Sequence, residues 1–134
     1  MRIVWKHLPL ENIHKFAMGA ALASEAARNQ GKFWEYHDKL FANQSKLAVD
    51  DLKGYAKEIG LDMARFEKDL VNLDNKKRVS DDMAESKTLG VTGTPGFFVN
   101  GYFLSGAKAF DEFAKVIDSE LSKLNLPIPA KPAS

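Results

Sequence analysis

Apolar residues recur at helical spacing through most of this 134-residue chain. The first run, Asn12 to Gln30, is rich in alanine and is followed by Gly31, a residue that commonly ends a helix. One face of this predicted helix carries Phe16, Ala20, Ala23 and Ala27. Because most of these side chains are small, we expect the helix to pack closely against a neighbouring element.

Four more helices are predicted before residue 91. Their apolar residues follow the 3.6-residue period, and acidic residues or glycines stand at several of the expected boundaries. The first ends near Asn43, the second follows Asp50-Asp51 and ends at Gly60, the third begins after Asp62, and the fourth runs from Asn75 to Leu89. The middle of the chain is therefore predicted to be helical throughout.

Both ends of this helical region are predicted to be β-structure. Ile3, Val4 and Trp5 favour a short strand over Arg2–Leu8, which Pro9 would end. Beyond Gly93 two aromatic-rich runs flank Asn100-Gly101, the dipeptide favoured in a two-residue type I′ turn. Residues 96–105 are therefore predicted to form a β-hairpin.

An amphipathic helix is predicted after the hairpin. Its apolar residues are spaced by three or four positions: Phe110, Phe113, Ile117, Leu121 and Leu124. Residues 127–134 contain three prolines and are predicted to be an extended tail. Because no repeat or interdomain linker interrupts residues 1–126, we expect them to form a single domain.

Composition excludes several classes of function. The chain has 19 basic and 18 acidic side chains, a net charge of +1, and no block of like charges that would bind nucleic acid. It contains no run of about 18 apolar residues that would cross a membrane, and its N-terminus does not have the pattern of a signal peptide. We therefore expect neither a nucleic-acid partner nor a membrane span.

The residue types that commonly catalyse reactions or bind metals and phosphates exclude further classes of function. The chain has no cysteine, which excludes a disulfide, a thiolate nucleophile and a cysteine-zinc site on these residues. Its three histidines, His7, His14 and His37, match no compact metal-ligand spacing, and we expect no metal. No serine lies in a Gly-x-Ser-x-Gly elbow and no glycine run forms a phosphate-binding loop, so we expect no catalytic residue and no cofactor. Asp38 follows His37 directly, and adjacent residues of a helix are not expected to face each other.

Thr94-Pro95 is the one local pattern that indicates a binding role. A proline between two glycines, immediately before a strand, is a position where a cis peptide bond is tolerated and where a backbone edge can be offered to a bound peptide. This local pattern alone leaves the cis and trans isomers of the bond open.

Four segments together resemble the DsbA-like branch of the thioredoxin superfamily, the thiol:disulfide oxidoreductases of bacterial envelopes. They are VWKHLPL, FWEYHDKLF, LGVTGTPGFFVNG and the final helix, and they cover nearly the whole chain. The resemblance implies an α/β, thioredoxin-like fold that is helix-rich, with a helical insertion at about residues 31–90 and a small mixed sheet that includes the hairpin. Because LGVTGTPGFFVNG resembles the cis-proline loop of the family, the position of Pro95 and the resemblance together predict that the Thr94-Pro95 bond is cis. The resemblance also implies that Gly93, Thr94 and Pro95 bind substrate, an unfolded or cysteine-containing polypeptide, and that the parent protein is periplasmic or exported.

The chain departs from the family at its active site. The family carries a Cys-x-x-Cys after its first strand, whereas the opening strand here resembles the family's second, so we expect the N-terminal βα unit to be absent from this chain. Thiol–disulfide exchange requires a thiolate, and we therefore expect no redox activity from this chain alone.

Two hypotheses about function remain open. The first is that the chain is part of a disulfide oxidoreductase, and the second is that it is a cysteine-free thioredoxin-like module for binding or self-association. The resemblance also implies a gap in the sheet beside the opening strand. Either Ile3–Trp5 moves to pair with the hairpin of the same chain or a second copy supplies a strand, and we expect the homodimer.

Overall fold

The computed structural model describes residues 1–130, which form two compact units, one from Met1 to Gly90 and one beginning at Val91. The first unit contains helices α1 (Ala17–Arg28), α2 (Phe33–Ala42), α3 (Val49–Glu58), α4 (Met63–Leu70) and α5 (Leu73–Thr88). The second contains strands β1 (Gly96–Val99) and β2 (Tyr102–Ser105), followed by helix α6 (Phe110–Lys123). The last four residues of the proline-rich tail lie outside the described part of the chain.

Helix α1 is the centre of the first unit. It packs against α2, α3, α4 and α5, and Ala23, Ala26 and Ala27 are fully buried at these contacts. The predicted alanine face is therefore confirmed. Its methyl side chains let the neighbouring helices approach α1 closely. Phe16 was expected on the same face but is 42% exposed, since α1 begins only at Ala17 and residues before it form turns.

The remaining core of the first unit is built from α2, α3 and α4. Tyr36 and Phe66 are completely buried and their rings lie 5.8 Å apart. The Tyr36 hydroxyl donates a 2.8 Å hydrogen bond to the carbonyl of Leu52, which satisfies the polar tip of this buried side chain. Burial also raises the pKa of Tyr36.

Most of the predicted helix boundaries agree with the structure. Asp62 caps α4 by accepting a hydrogen bond from the backbone N–H of Arg65, and α2 ends at Asn43. Helix α5 begins two residues earlier than expected, because the side chain of Asn72 caps it through the N–H of Asp74.

The predicted strand over Arg2–Leu8 is wrong. These residues have neither helical nor strand structure, and none of the backbone–backbone hydrogen bonds in residues 1–130 involves them. Strand propensity is not sufficient without a neighbouring strand to pair with. Within the described residues the sheet consists of β1 and β2 alone, so the expected mixed sheet is an antiparallel hairpin, and Ile3–Trp5 does not pair with it.

The hairpin itself is confirmed. Residues Gly96 to Val99 pair with Ser105 to Tyr102 in antiparallel register. The turn residues Asn100 and Gly101 have φ values of 49° and 87°, as a type I′ turn requires. The side chain of Asn100 also donates a 2.9 Å hydrogen bond to Glu120, which links the turn to α6.

Candidate functional site

The three predicted binding residues lie together on an exposed loop that leads into β1. Gly93, Thr94 and Pro95 are all exposed, and a Cβ placed on Gly93 would meet no atom within 4 Å. The Thr94–Pro95 peptide bond is cis, the isomer expected from the sequence. The Pro95 carbonyl accepts a 2.8 Å hydrogen bond from the N–H of Gly106, which fixes the end of the loop beside the end of β2.

The hairpin presents two different faces next to this loop. Phe97 lies toward α6, with its ring centroid 4.7 Å from that of Phe113. Phe98 points to the opposite face, where its ring lies 4.9 Å from that of Phe103. These two rings are 45% and 43% exposed. The second edge of β1 has no partner strand within residues 1–130.

The polar groups of the loop are of a kind that can bind a polypeptide backbone. Residues 93–96 carry no carboxylate, amine, imidazole or thiol, and their polar groups are backbone amides and the Thr94 hydroxyl. An exposed loop that continues into an unpaired strand edge can bind an extended peptide through main-chain hydrogen bonds. The aromatic pair would then contact side chains of the peptide on one face.

The histidines are separated in the structure and form no common site. His14 is exposed, His7 is buried, and His37 is partly buried on α2. Among the described residues no group of three metal-ligating side chains is close enough to hold an ion. The expectation that Asp38 would not face His37 is wrong, because the Asp38 carboxylate lies 2.9 Å from Nδ1 of His37.

The sequence analysis did not identify a buried polar network in the first unit, centred on Glu25. This side chain is completely buried on α1, and its two carboxylate oxygens are hydrogen-bonded by His7, Arg28 and Arg78. Burial alone would raise the pKa of Glu25, but hydrogen bonds from His7 and Arg78 and the charge of Arg28 outweigh it and lower the pKa to about 2. A single glutamate within the alanine run AALASEAAR was the only sequence signal of this network.

A second acidic residue holds the N-terminal segment. Asp82 of α5 accepts hydrogen bonds from the backbone N–H of His7 at 2.9 Å and from the Lys6 ammonium group at 3.0 Å. Lys6 also pairs with Glu85 at 2.8 Å, and hydrogen bonds to Glu85 and Asp82 raise the pKa of Lys6. The segment is thus attached to α1 and α5 by side-chain bonds in place of a strand ladder.

Trp5 extends this attachment toward α2. Its ring lies edge-on to those of Trp34, His37 and Phe41, with centroid distances of 6.4, 4.8 and 6.1 Å. The Trp5 indole N–H donates a 3.4 Å hydrogen bond to Nδ1 of His7. The indole therefore contacts α2 on one side and the buried histidine on the other.

The fold places this chain in the thioredoxin-like class. Its structure is similar to a thioredoxin-like oxidoreductase from Silicibacter pomeroyi, with a TM-score of 0.75 and 26% sequence identity, over 82% of this chain and 64% of that one. The family model of the DSBA-like thioredoxin domain matches residues 1–118. The chain belongs to the DsbA-like thioredoxin domain family, and the resemblance inferred from its sequence is confirmed.

Curated relatives of known name are much longer than this chain. The chain is 40% identical over 126 residues to Na⁺/H⁺ antiporter NhaA 1 of Salinispora arenicola, a match that covers 94% of this chain and 19% of the antiporter. It is 46% identical over 101 residues to Na⁺/H⁺ antiporter NhaA 3 of Salinispora tropica, covering 75% of this chain and 16% of that protein. This chain thus spans about a fifth or less of those relatives. No helix within residues 1–130 combines the length and apolar character needed to cross a membrane.

Proposed function

We propose that this chain is the substrate-binding part of a DsbA-like thiol:disulfide oxidoreductase system. Residues 93–95 would bind an extended, cysteine-containing polypeptide, and the free edge of β1 would continue the main-chain pairing. The observation that carries the proposal is the exposed loop of Gly93, Thr94 and Pro95, joined directly to a strand edge without a partner among the described residues.

The redox step itself needs a thiol from another source. A disulfide is exchanged only when a thiolate attacks one of its sulfur atoms, and residues 1–134 contain no cysteine. The chain on its own is therefore expected to bind substrate without oxidising, reducing or isomerising it. The family's usual location supports the periplasm as its place of action, and fractionation of the producing cells would test this.

Binding of an unfolded polypeptide tests the proposal. The probe is a fluorescein-labelled insulin B chain with its cysteines alkylated, and anisotropy reports its association with the purified chain. We expect saturable binding that Gly93→Leu weakens at least fivefold, because the new side chain shields the backbone of the loop. Gly54→Leu is the matched control, since a Cβ at Gly54 also meets no atom within 4 Å. Equal binding by both variants, or no binding by the original chain, would reject the proposal.

A second candidate is a cysteine-free module for binding or self-association. Two observations favour it: the partner-free edge of β1 among the described residues, and the similarity to a small part of much longer proteins. Self-association through this edge would produce a homodimer in which two strands pair about a two-fold axis. Light scattering at several concentrations distinguishes the candidates, because a constant monomer mass would exclude the dimer.

A further inference from the structure

His7 has a defined protonation pattern that follows from its two partners. An indole N–H can only donate, so the bond from Trp5 requires that Nδ1 of His7 accepts. In the neutral ring the proton then lies on Nε2, which donates to Oε1 of Glu25 at 2.8 Å. His7 is only 5% exposed, and both of its ring nitrogens are hydrogen-bonded.

A proton added to the His7 ring would change its contact with Trp5 and leave its contact with Glu25 in place. The lone pair that is free to accept a proton is on Nδ1, and once protonated this atom becomes a donor. Two N–H groups, from Nδ1 and from the Trp5 indole, would then face each other across 3.4 Å. The bond from Nε2 to the Glu25 carboxylate remains and becomes charge-assisted.

We propose that His7 is a pH-sensitive latch for the indole N–H of Trp5, which is hydrogen-bonded to the neutral imidazole and loses that bond when the imidazole becomes protonated. The segment can respond to this change, because residues 1–8 make none of the backbone–backbone hydrogen bonds within residues 1–130. The Trp5 ring keeps its contacts with α2, and Lys6 and the backbone of His7 keep their bonds to Asp82. The hydrogen bonding of the Trp5 indole would therefore depend on pH.

The charged groups around His7 come from every element packed against it. Helix α1 contributes Glu25 and Arg28, α5 contributes Arg78 and Asp82, α2 contributes His37 on the far side of Trp5, and the segment itself contributes Lys6. Glu25 stays ionised throughout mild acid because the two arginines and His7 hold its pKa at about 2. A change at Trp5 between pH 8 and 4.5 would therefore not come from Glu25. His37, with its ring centroid 4.8 Å from that of Trp5, is the competing source.

Nuclear magnetic resonance of the whole chain tests the latch. The indole N–H signals of Trp5 and Trp34, assigned with Trp34→Phe, and the ring nitrogens of the histidines are followed from pH 8 to 4.5. We expect the Trp5 indole signal to move to the position of a water-exposed indole with the same midpoint as His7.

Three variants separate the latch from other causes. His7→Asn retains an acceptor where Nδ1 stands but cannot titrate, so the Trp5 signal should stay in its bonded position at all pH values. His7→Gln retains the contact to Glu25 but lacks that acceptor, so the signal should be in the free position throughout. His37→Asn should leave the step unchanged. A Trp5 signal that does not follow the His7 midpoint in the original chain, or a step that persists in His7→Asn or vanishes in His37→Asn, would overturn the proposal.

Discussion

Replacing Glu25 by glutamine removes a completely buried negative charge while keeping the size of the side chain. The carboxylate is hydrogen-bonded by His7, Arg28 and Arg78, and an amide can accept from at most part of this set. Arg28 and Arg78 are 39% and 46% exposed, so they can turn toward water when the charge is lost. The cost is therefore expected at or below the low end of the 3–5 kcal/mol typical of a broken buried ion pair.

The lowered pKa of Glu25 gives a second measure of its contribution to stability and shows how that contribution changes with pH. The pKa falls from the ordinary 4.5 of a glutamate to about 2, which at about 1.4 kcal/mol per pH unit corresponds to roughly 3 kcal/mol of stability. Because the pKa is lower in the folded state, this contribution is fully present above pH 4.5 and is lost as the pH falls toward 2. Glu25→Gln should therefore be less stable than the original chain at pH 7 and should not show that part of the acid dependence.

Urea unfolding followed by tryptophan fluorescence measures both effects. Both tryptophans, Trp5 and Trp34, lie in the unit from Met1 to Gly90, so the signal reports the unit that contains Glu25. The control is Glu67→Gln, which removes a 52% exposed carboxylate from its pair with Lys53 and should change stability by less than about 0.5 kcal/mol. If Glu25→Gln had the same unfolding midpoint and the same acid dependence as the original chain, the network would not stabilise the fold.

Three further substitutions, one of them with a matched control, test the packing and the turn. Tyr36→Phe should destabilise the first unit by about 1–2 kcal/mol in urea unfolding, because the carbonyl of Leu52 loses its buried donor. Ala26→Leu should lower the free energy of unfolding by at least about 1–3 kcal/mol, because α1 has no free space at this position. Ala64→Leu, on the exposed side of α4, is the control and should leave stability unchanged. Equal effects of the two substitutions would contradict the close packing of α1. Gly101→Val should abolish the cross-strand nuclear Overhauser contacts of the hairpin, because φ at this position is 87°, and retained contacts would show that the turn tolerates a side chain.

Local signals in the sequence were sufficient for most of the fold. The 3.6-residue period located α2 to α6, and Asn100-Gly101 located the hairpin, because each of these signals acts over a few neighbouring residues. The same reasoning failed for Arg2–Leu8, because a strand forms only beside a partner strand, and the local residues do not specify that partner. The composition of residues 93–96 indicated the loop before β1, since glycine and proline act on the backbone directly.

The Glu25 network could not be predicted in the same way. Its members, His7, Glu25 and Arg78, are separated by 18 and 53 positions and come together only when α1 packs against α5 and the N-terminal segment. A glutamate in an alanine-rich helix is normally exposed, and only the tertiary arrangement buries it. Long-range polar contacts of this kind leave almost no trace in a single sequence.

The central claim is that residues 93–95 form the substrate-binding loop of a DsbA-like protein that lacks its redox dithiol in this chain. The most direct measurement joins a DsbA-like strand and Cys-x-x-Cys helix to Met1 and follows insulin reduction with excess dithiothreitol. We expect the original chain to show no rate above buffer and the joined protein to be active. Pro95→Ala should reduce that activity at least tenfold, while Pro129→Ala, at an exposed proline of the tail, should not. Turnover by the original chain, or full activity of the joined protein with Pro95→Ala, would contradict the account.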